Sequence, residues 1–85
     1  MQTRDRVDKI VKAAKAHKRV RVKYKKKLTN KTVVRDIAAY SFVDGYLYIT
    51  DTVHGVEAIR CYIAERILSA KVLKKKFKPQ WDIEL

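Results

Sequence analysis

The sequence has little cysteine, proline or glycine, and it has no long apolar run. Its 85 residues include one cysteine, one proline and two glycines. One cysteine cannot close an intramolecular disulfide, and with His17 and His54 it gives none of the usual zinc spacings. Two glycines and one proline exclude a flexible linker and a collagen-like repeat.

Membrane segments are missing as well. No apolar run approaches the roughly 20 residues that span a bilayer, and residues 1–8 lack the apolar centre of a signal peptide. A lone thiol is typical of a reducing compartment. We therefore expect a cytoplasmic protein with no membrane contact.

Acidic residues are scarce too, and their distribution is uneven. There are 21 Lys and Arg against nine Asp and Glu, for a net charge of +12. Residues 1–35 hold 14 of the cations and two acids, whereas residues 36–85 hold seven of each, so the excess is +12 in the first segment and zero in the second. The 47% hydrophobic content excludes a charge-driven disordered chain. Such an excess favours an anionic partner, nucleic acid above all, over a merely solvated surface.

A chain of this length forms one small domain with one thin core and no room for a deep cleft. The sequence contains no defensible catalytic triad, carboxylate pair or phosphate-binding glycine loop. We therefore expect no enzymatic activity, no cofactor and no metal.

The first element is predicted to be a helix over about residues 5–18, because Val7, Ile10, Val11 and Ala14 recur at helical spacing. A strand follows, in which Val20, Val22 and Tyr24 alternate with the cations Arg21, Lys23 and Lys25. We therefore expect the solvent-facing side of the helix to be cationic and the strand to have a basic outer row.

Further short strands are predicted along the rest of the chain. Asp44-Gly45 is the strongest hairpin signal, because both residues tolerate a positive φ angle. The other segments are a strand at 32–37, strands at 40–43 and 46–50 around that turn, a turn at His54-Gly55, a strand at 57–63, an irregular step at 64–67, a strand at 69–73 and a tail at 74–85. The fold class is mostly β with an N-terminal α-helix, and a small antiparallel β-barrel over about residues 19–73 removes the exposed edges.

Several of these segments resemble the WYL domain family. The helix Ile10-Val-Lys-Ala-Ala14, the strand Arg19-Val-Arg-Val-Lys-Tyr24 and Arg35 in the next strand match its pattern. The motif Trp-Tyr-Leu, which names the family, is represented by Leu47-Tyr48-Ile49 after the glycine turn. A second family motif, Arg-Thr-Phe-Arg-Leu-Asp-Arg-Ile, is similar to Arg60-Cys-Tyr-Ile-Ala-Glu-Arg-Ile67, with Ile63 in place of an Arg.

The resemblance covers most of the 85 residues and implies a single WYL-like domain with an SH3-like or Sm-like barrel. It also implies a bacterial or phage regulator that binds nucleic acid or senses nucleotides, with a role in transcription regulation. Arg60 and Arg66 are the motif arginines, which the resemblance places in a basic pocket or groove.

The candidate nucleic-acid-binding residues fall into three groups. The first is expected to line one sheet surface and the adjacent hairpin tip: Arg21, Lys23, Lys25, Lys26, Lys27 and Arg35. The second is the pair of motif arginines, for which a structural ion pair of Arg66 with Glu65 or Asp51 is the alternative. The third is Tyr48, which either stacks on a base or belongs to the core. Tyr24, Tyr62 and Cys61 are expected in the core.

Three functions remain open at this point. The first is binding of single-stranded or structured DNA or RNA through the basic barrel face. The second is docking on an acidic patch of a larger host protein, as phage and mobile-element accessory proteins do. The third is sensing of a nucleotide in a pocket near Tyr48 and Arg66. A homodimer is possible with any of them.

Overall fold

A computed structural model describes residues 3–53, 56–80 and 82–85. The predicted His54-Gly55 turn and Trp81 lie outside these residues. Among the described residues, none of the helical structure is long and apolar enough to cross a membrane.

The N-terminal helix α1 spans Thr3–Lys15, so it ends earlier than the predicted boundary near residue 18. His17 has a φ angle of 57°, a left-handed conformation that stops the helix and turns the chain into the first strand. The backbone oxygen of His17 accepts a hydrogen bond from the amide of Phe77 at 2.9 Å. Ile10 and Ala14 are buried, as the helical spacing predicts, and Ala13 is buried with them, whereas the other two residues of the predicted face, Val7 and Val11, are only partly buried.

Five strands form one antiparallel sheet in the order β4-β3-β2-β1-β5. A short 3-10 helix, Ala64–Arg66, connects β4 to β5 at the irregular step that the sequence predicts. The strand bounds are β1 Lys18–Lys25, β2 Thr32–Val43, β3 Tyr46–Val53, β4 Val56–Ile63 and β5 Ile67–Lys76.

The predicted closure into a barrel is not confirmed, because the sheet is open. In the described part of the chain, β4 and β5 are its two edges and are not paired with each other. The sheet is nevertheless strongly curled. Tyr24 on β1 and Tyr62 on β4 stack with ring centroids 4.1 Å apart, although β2 and β3 lie between their strands. Curling buries the inner face without closing the hydrogen-bonded ring.

The prediction of two separate strands at 32–37 and 40–43 is wrong, because both belong to the 12-residue β2. The register of β2 against β3 shifts between Ala39 and Ser41, and this irregularity lets one strand bend through both segments. Residues 32–37 pair with β1, and residues beyond them pair only with β3 and, at Ser41, with the tail residue Glu84. The tail begins at Phe77, since β5 continues through Lys76.

The main core lies on the inner face of the curled sheet, which carries Val22, Ile37 and Ile49, and α1 packs on it. A second cluster lies on the outer face, where Phe77 covers Ala38 and Tyr40. Tyr24 and Tyr62 are buried, as predicted. Cys61 is not: the prediction of a buried thiol is wrong, because Cys61 lies opposite Tyr48 on the outer face and is exposed.

The hairpin predicted at Asp44-Gly45 is confirmed. The φ angles of these residues are 52° and 82°, both left-handed, so the two-residue turn matches the twist of β2 and β3. Nothing lies within 4 Å of a Cβ placed on Gly45, so its requirement is conformational rather than steric.

Candidate functional site

Alternation along β1 turns its cations outward. Val20, Val22 and Tyr24 are buried, while Arg21, Lys23 and Lys25 are exposed on the outer face. Pairing with β5 extends this row sideways, because Lys71 lies directly opposite Arg21. Lys75 lines the same shallow groove as Arg21. These residues make up what we call the cationic face: Arg21, Lys23, Lys25, Lys71 and Lys75.

Lys71 and Lys75 are not among the site residues that the sequence predicts. They lie in residues 36–85, whose net charge is zero, and no local signal shows that β5 returns to pair with β1. The alternation within each strand is readable from the sequence, but the choice of neighbouring strand depends on long-range packing.

One acid lies against the cationic face. The Arg21 guanidinium donates two hydrogen bonds to Asp36, Nε to Oδ1 at 2.9 Å and Nη2 to Oδ2 at 3.3 Å. The hydrogen bonding between these two side chains is the main cause that lowers the pKa of Asp36 and raises the pKa of Arg21. Within the described residues, Lys23, Lys25 and Lys71 have no ion pair, so their charges are available to a ligand.

Arg35 lies between this surface and the inner side of the sheet. It pairs with Val22, whose side chain is on the inner side, yet it lines the shallow groove beside Arg21 as well as a second groove on the inner side. Arg60 pairs with Ile49 and lies on the inner side. Arg60 is therefore separated from Arg21, Lys23 and Lys25, because a strand alternates its side chains and the register sets which ones share a face.

The inner side has an open end that forms a groove of about 280 Å³. Its charged groups are centred on Asp51, which is only 3% exposed. Tyr62 Oη donates a hydrogen bond to Asp51 Oδ2 at 3.0 Å, and Arg60 Nε lies 3.7 Å from Asp51 Oδ1. Burial, followed by the charge of Asp51, raises the pKa of Tyr62, so this hydroxyl stays protonated as a donor. The lining residues are Tyr24, Lys26, Val33, Arg35, Asp51, Arg60, Cys61 and Tyr62.

The guanidinium of Arg66 is occupied by the loop between β1 and β2. It donates from Nε to the Lys25 oxygen at 2.9 Å and from Nη2 to the Lys26 oxygen at 3.0 Å and Asn30 Oδ1 at 3.2 Å. The expected partners, Glu65 and Asp51, are not the ones it contacts here; Arg60 is the arginine beside Asp51. Arg66 thus holds in place the loop that presents Lys26 and Lys27.

Replacing Arg66 tests whether this side chain clamps the β1–β2 loop in place. We expect Arg66→Lys to lower the free energy of unfolding by about 1 kcal/mol, because an ammonium cannot reproduce the planar, three-bond contact. Hydrogen exchange of the Asn30 amide, which bonds to the Lys26 oxygen, should accelerate more than that of β3 amides. Unchanged protection in this loop would contradict the clamp.

Tyr48 is half-exposed on the outer face of β3 and does not belong to the core. Leu47 and Ile49, on the opposite face of this strand, are the side chains buried in the core. The Arg66 guanidinium contacts the β1–β2 loop, whereas Tyr48 lies on the outer face of β3. Tyr48 and Arg66 therefore do not form the nucleotide pocket that was expected near them.

Comparison with curated proteins and with solved structures finds no match. The family model described as "WYL domain" matches residues 5–72, which include most of α1, the whole of β1 to β4 and most of β5. This match covers well over half of the 85 residues, and it agrees with the motifs at Leu47-Tyr48-Ile49 and Arg60–Ile67. The chain therefore belongs to the WYL domain family.

Proposed function

We propose that this domain binds nucleic acid through its cationic face. The observation that carries the proposal is the pairing of β1 with β5. It sets Lys71 of β5 beside Arg21, the first residue of the exposed β1 row that continues through Lys23 and Lys25. Such a two-dimensional set of cations can contact successive phosphates and release their counterions. The role is binding rather than catalysis.

Two further observations support it. The shallow groove beside this face measures about 590 Å³ and is lined by Arg19, Arg21, Arg35 and Lys75 with only Asp36 as an acid. WYL domains are generally associated with regulators that bind nucleic acid or sense ligands, which is consistent with this chemistry. The loop that Arg66 holds adds the exposed Lys26 and Lys27 at one end of the face.

The ligand we favour is single-stranded or structured DNA or RNA. Tyr46 and Tyr48 are exposed on the same outer side of the sheet, two strands away from β1. A strand whose phosphates follow the cations can stack its unpaired bases on such rings, whereas a regular duplex keeps its bases inside.

Fluorescence anisotropy with labelled single-stranded and duplex DNA and RNA tests the proposal directly. We expect micromolar or tighter binding at low salt, with a log–log salt slope of about −0.7 for each phosphate neutralised on a single strand. Absence of binding to all four ligands at low salt would refute it. Partners recovered from cells that survive nuclease digestion would instead indicate docking of the cationic face on an acidic protein.

The inner groove favours a second candidate, binding of a nucleotide. Arg35 and Arg60 supply cations there, and Asp51 supplies an acceptor beside the Tyr24–Tyr62 stack. A nucleotide that binds only the folded state would raise the Tm. No shift with millimolar nucleotides would exclude this role while leaving the cationic face untested.

Removing the charge of Asp36 should change the nucleic-acid affinity in the opposite direction to removing a cation from the cationic face. We expect Asp36→Asn to strengthen nucleic-acid binding by about two- to fivefold at low salt, because it frees Arg21 and removes a negative charge from the face. Since the pKa of Asp36 is lowered in the fold, its stabilising contribution is present at neutral pH and lost as the pH falls through that lowered value. The variant should therefore lose part of the acid sensitivity of Tm. Weaker anisotropy binding than wild type would contradict the assignment of Arg21 to the face.

A further inference from the structure

Asp51 brings a buried carboxylate to the wall of the inner groove. Its Oδ2 accepts a hydrogen bond from Tyr62 Oη at 3.0 Å. Its Oδ1 is buried too, and among the described residues no group donates a hydrogen bond to this atom. A buried charged oxygen without a donor is costly, because it has lost its contact with water and has gained nothing in exchange. Oδ1 is therefore an acceptor that a ligand of the groove can satisfy.

Arg60 is the charged side chain beside Oδ1. Its Nε lies 3.7 Å from Oδ1, close enough for attraction between the charges but beyond hydrogen-bond distance. The Arg60 side chain is 55% exposed and belongs to the edge strand β4, so it can swing at the mouth of the groove without any change in the sheet. A ligand can then reach Oδ1 while the guanidinium remains near enough to bind it as well.

The charges of the groove define the class of ligand. Lys26, Arg35 and Arg60 line it together with one acid, Asp51. This excess of cations repels an amine and attracts an anion, while Asp51 requires that the anion also carry N–H donors. A nucleotide has both groups, a phosphate at one end and a base edge at the other. The groove measures about 280 Å³, near the lower end of the roughly 300–1,000 Å³ of ligand pockets, which suits a single nucleotide.

The carboxylate also selects the base. An ionised carboxylate only accepts hydrogen bonds, so it requires donors that lie side by side on the base edge. Guanine presents N1–H next to its 2-amino group. The amino groups of adenine and cytosine each adjoin a ring nitrogen that is an acceptor, and the N3–H of uracil lies between two carbonyl oxygens, so each of these bases would turn an acceptor towards Asp51. Guanine O6, beside N1–H, is in turn an acceptor for the Arg60 guanidinium.

We propose that the inner groove binds a free guanine nucleotide, with Asp51 accepting from N1–H and the 2-amino group and Arg60 donating to O6. The inference rests on the second candidate function, nucleotide binding, and adds the choice of base to it. Oδ1 gains the hydrogen bond that it lacks, and Oδ2 can accept a second one beside that of Tyr62. Lys26 and Arg35 are the remaining cations of the groove and bind the phosphate.

Isothermal titration calorimetry of the whole, nuclease-treated chain with GMP, IMP, AMP and UMP tests the choice of base. We expect the Kd of GMP to be about tenfold or more below those of AMP and UMP, because a hydrogen bond to a charged group contributes that much. IMP keeps N1–H but lacks the 2-amino group and should lie between them. Equal Kd values would overturn the guanine assignment and leave nucleotide binding intact. Absence of binding of all four at millimolar concentration would overturn both.

Two substitutions separate the base contact from the phosphate contact. Asp51→Asn keeps an oxygen for the Tyr62 hydroxyl but turns an amide donor towards the guanine donors, so the Kd of GMP should rise about tenfold while that of AMP changes little. Lys26→Gln, the matched control, removes one charge from the phosphate end and should weaken all four nucleotides by the same factor. A wild-type Kd for GMP in Asp51→Asn, or an equal loss for all four, would overturn the role of Asp51.

The single cysteine locates the site. Cys61 is exposed and lines the groove, so a bound nucleotide would cover its thiol. Saturating GMP should slow the alkylation of Cys61 by iodoacetamide several-fold, whereas the same concentration of UMP should slow it much less. GMP that binds in the calorimeter without protecting Cys61 would place the nucleotide elsewhere and overturn the proposal.

The groove and the cationic face can fail independently. Lys23 and Lys25 do not line the groove, so the double variant Lys23→Glu, Lys25→Glu should bind GMP with the wild-type Kd even where its binding of single strands is lost. Calorimetry with GMP and anisotropy with labelled strands measure the two properties on the same preparation. Loss of GMP binding in this variant would place the nucleotide on the cationic face and overturn the assignment to the groove.

Discussion

Reversing two charges on β1 should abolish most nucleic-acid binding. The double variant Lys23→Glu, Lys25→Glu is expected to weaken binding of single-stranded ligands at low salt by on the order of a hundredfold, and to reduce the log–log salt slope by about 1.4. Both side chains are exposed in the centre of the cationic face and have no ion pair among the described residues, so the change acts on the ligand rather than on the fold. Anisotropy across a salt series measures both quantities.

The control for this variant is Lys12→Glu, Lys15→Glu on α1. It makes the same change in net charge, but α1 packs on the inner side of the sheet, away from the cationic face. If long-range attraction alone governed binding, the two double variants would lose equal affinity. We expect the helix variant to bind within about threefold of wild type at near-physiological salt, where distant charges are screened. Similar losses in both would show that the cationic face has no local role.

The strand pattern explains which parts of the fold are readable from the sequence. The buried row Val20, Val22 and Tyr24 and the turn at Asp44-Gly45 follow from residue alternation and backbone preference, which act locally. The length of β2 does not, because the bend near Tyr40 depends on its pairing with β3 and on the tail beside Ser41. Closure was also beyond the sequence: the predicted barrel is not confirmed, because β4 and β5 are unpaired edges in the described part of the chain, and pairing between strands depends on long-range packing.

The site shows the same division between local and long-range information. The outward direction of Lys23 and Lys25 follows from the pattern of β1 alone. The position of Arg35, which lines grooves on both sides, depends on its register with Val22, and the contribution of Lys71 depends on β5 pairing with β1. Arg66 was recognised as important by the motif, yet its contacts with the Lys25 and Lys26 carbonyls could not be read, since backbone acceptors leave no signal in a sequence.

The buried carboxylate of Asp51 leads to the largest expected effect on stability. Tyr62→Phe removes the only hydrogen bond observed to this side chain among the described residues, and the ion pair with Arg60, at 3.7 Å, is made to Oδ1 and leaves Oδ2 without a donor. We expect the free energy of unfolding to fall by about 2–3 kcal/mol, because a buried charge without a donor retains its desolvation penalty. For a domain of this size, each kcal/mol corresponds to about 4–8 °C in Tm. Thermal and denaturant unfolding measure the change.

Two companion variants separate the charge from the ring. Tyr24→Phe removes the hydroxyl of the stacked partner, which accepts a hydrogen bond from the neutral Ile63 amide, so we expect a loss of only about 1 kcal/mol. Asp51→Leu combined with Tyr62→Phe replaces both polar groups with apolar ones and should recover most of the stability lost in the single Tyr62→Phe variant. If the double variant were less stable than Tyr62→Phe alone, the cost would lie in packing around the ring. Recovery would show that the loss in Tyr62→Phe comes from the buried carboxylate of Asp51 left without a donor, and not from the ring of residue 62.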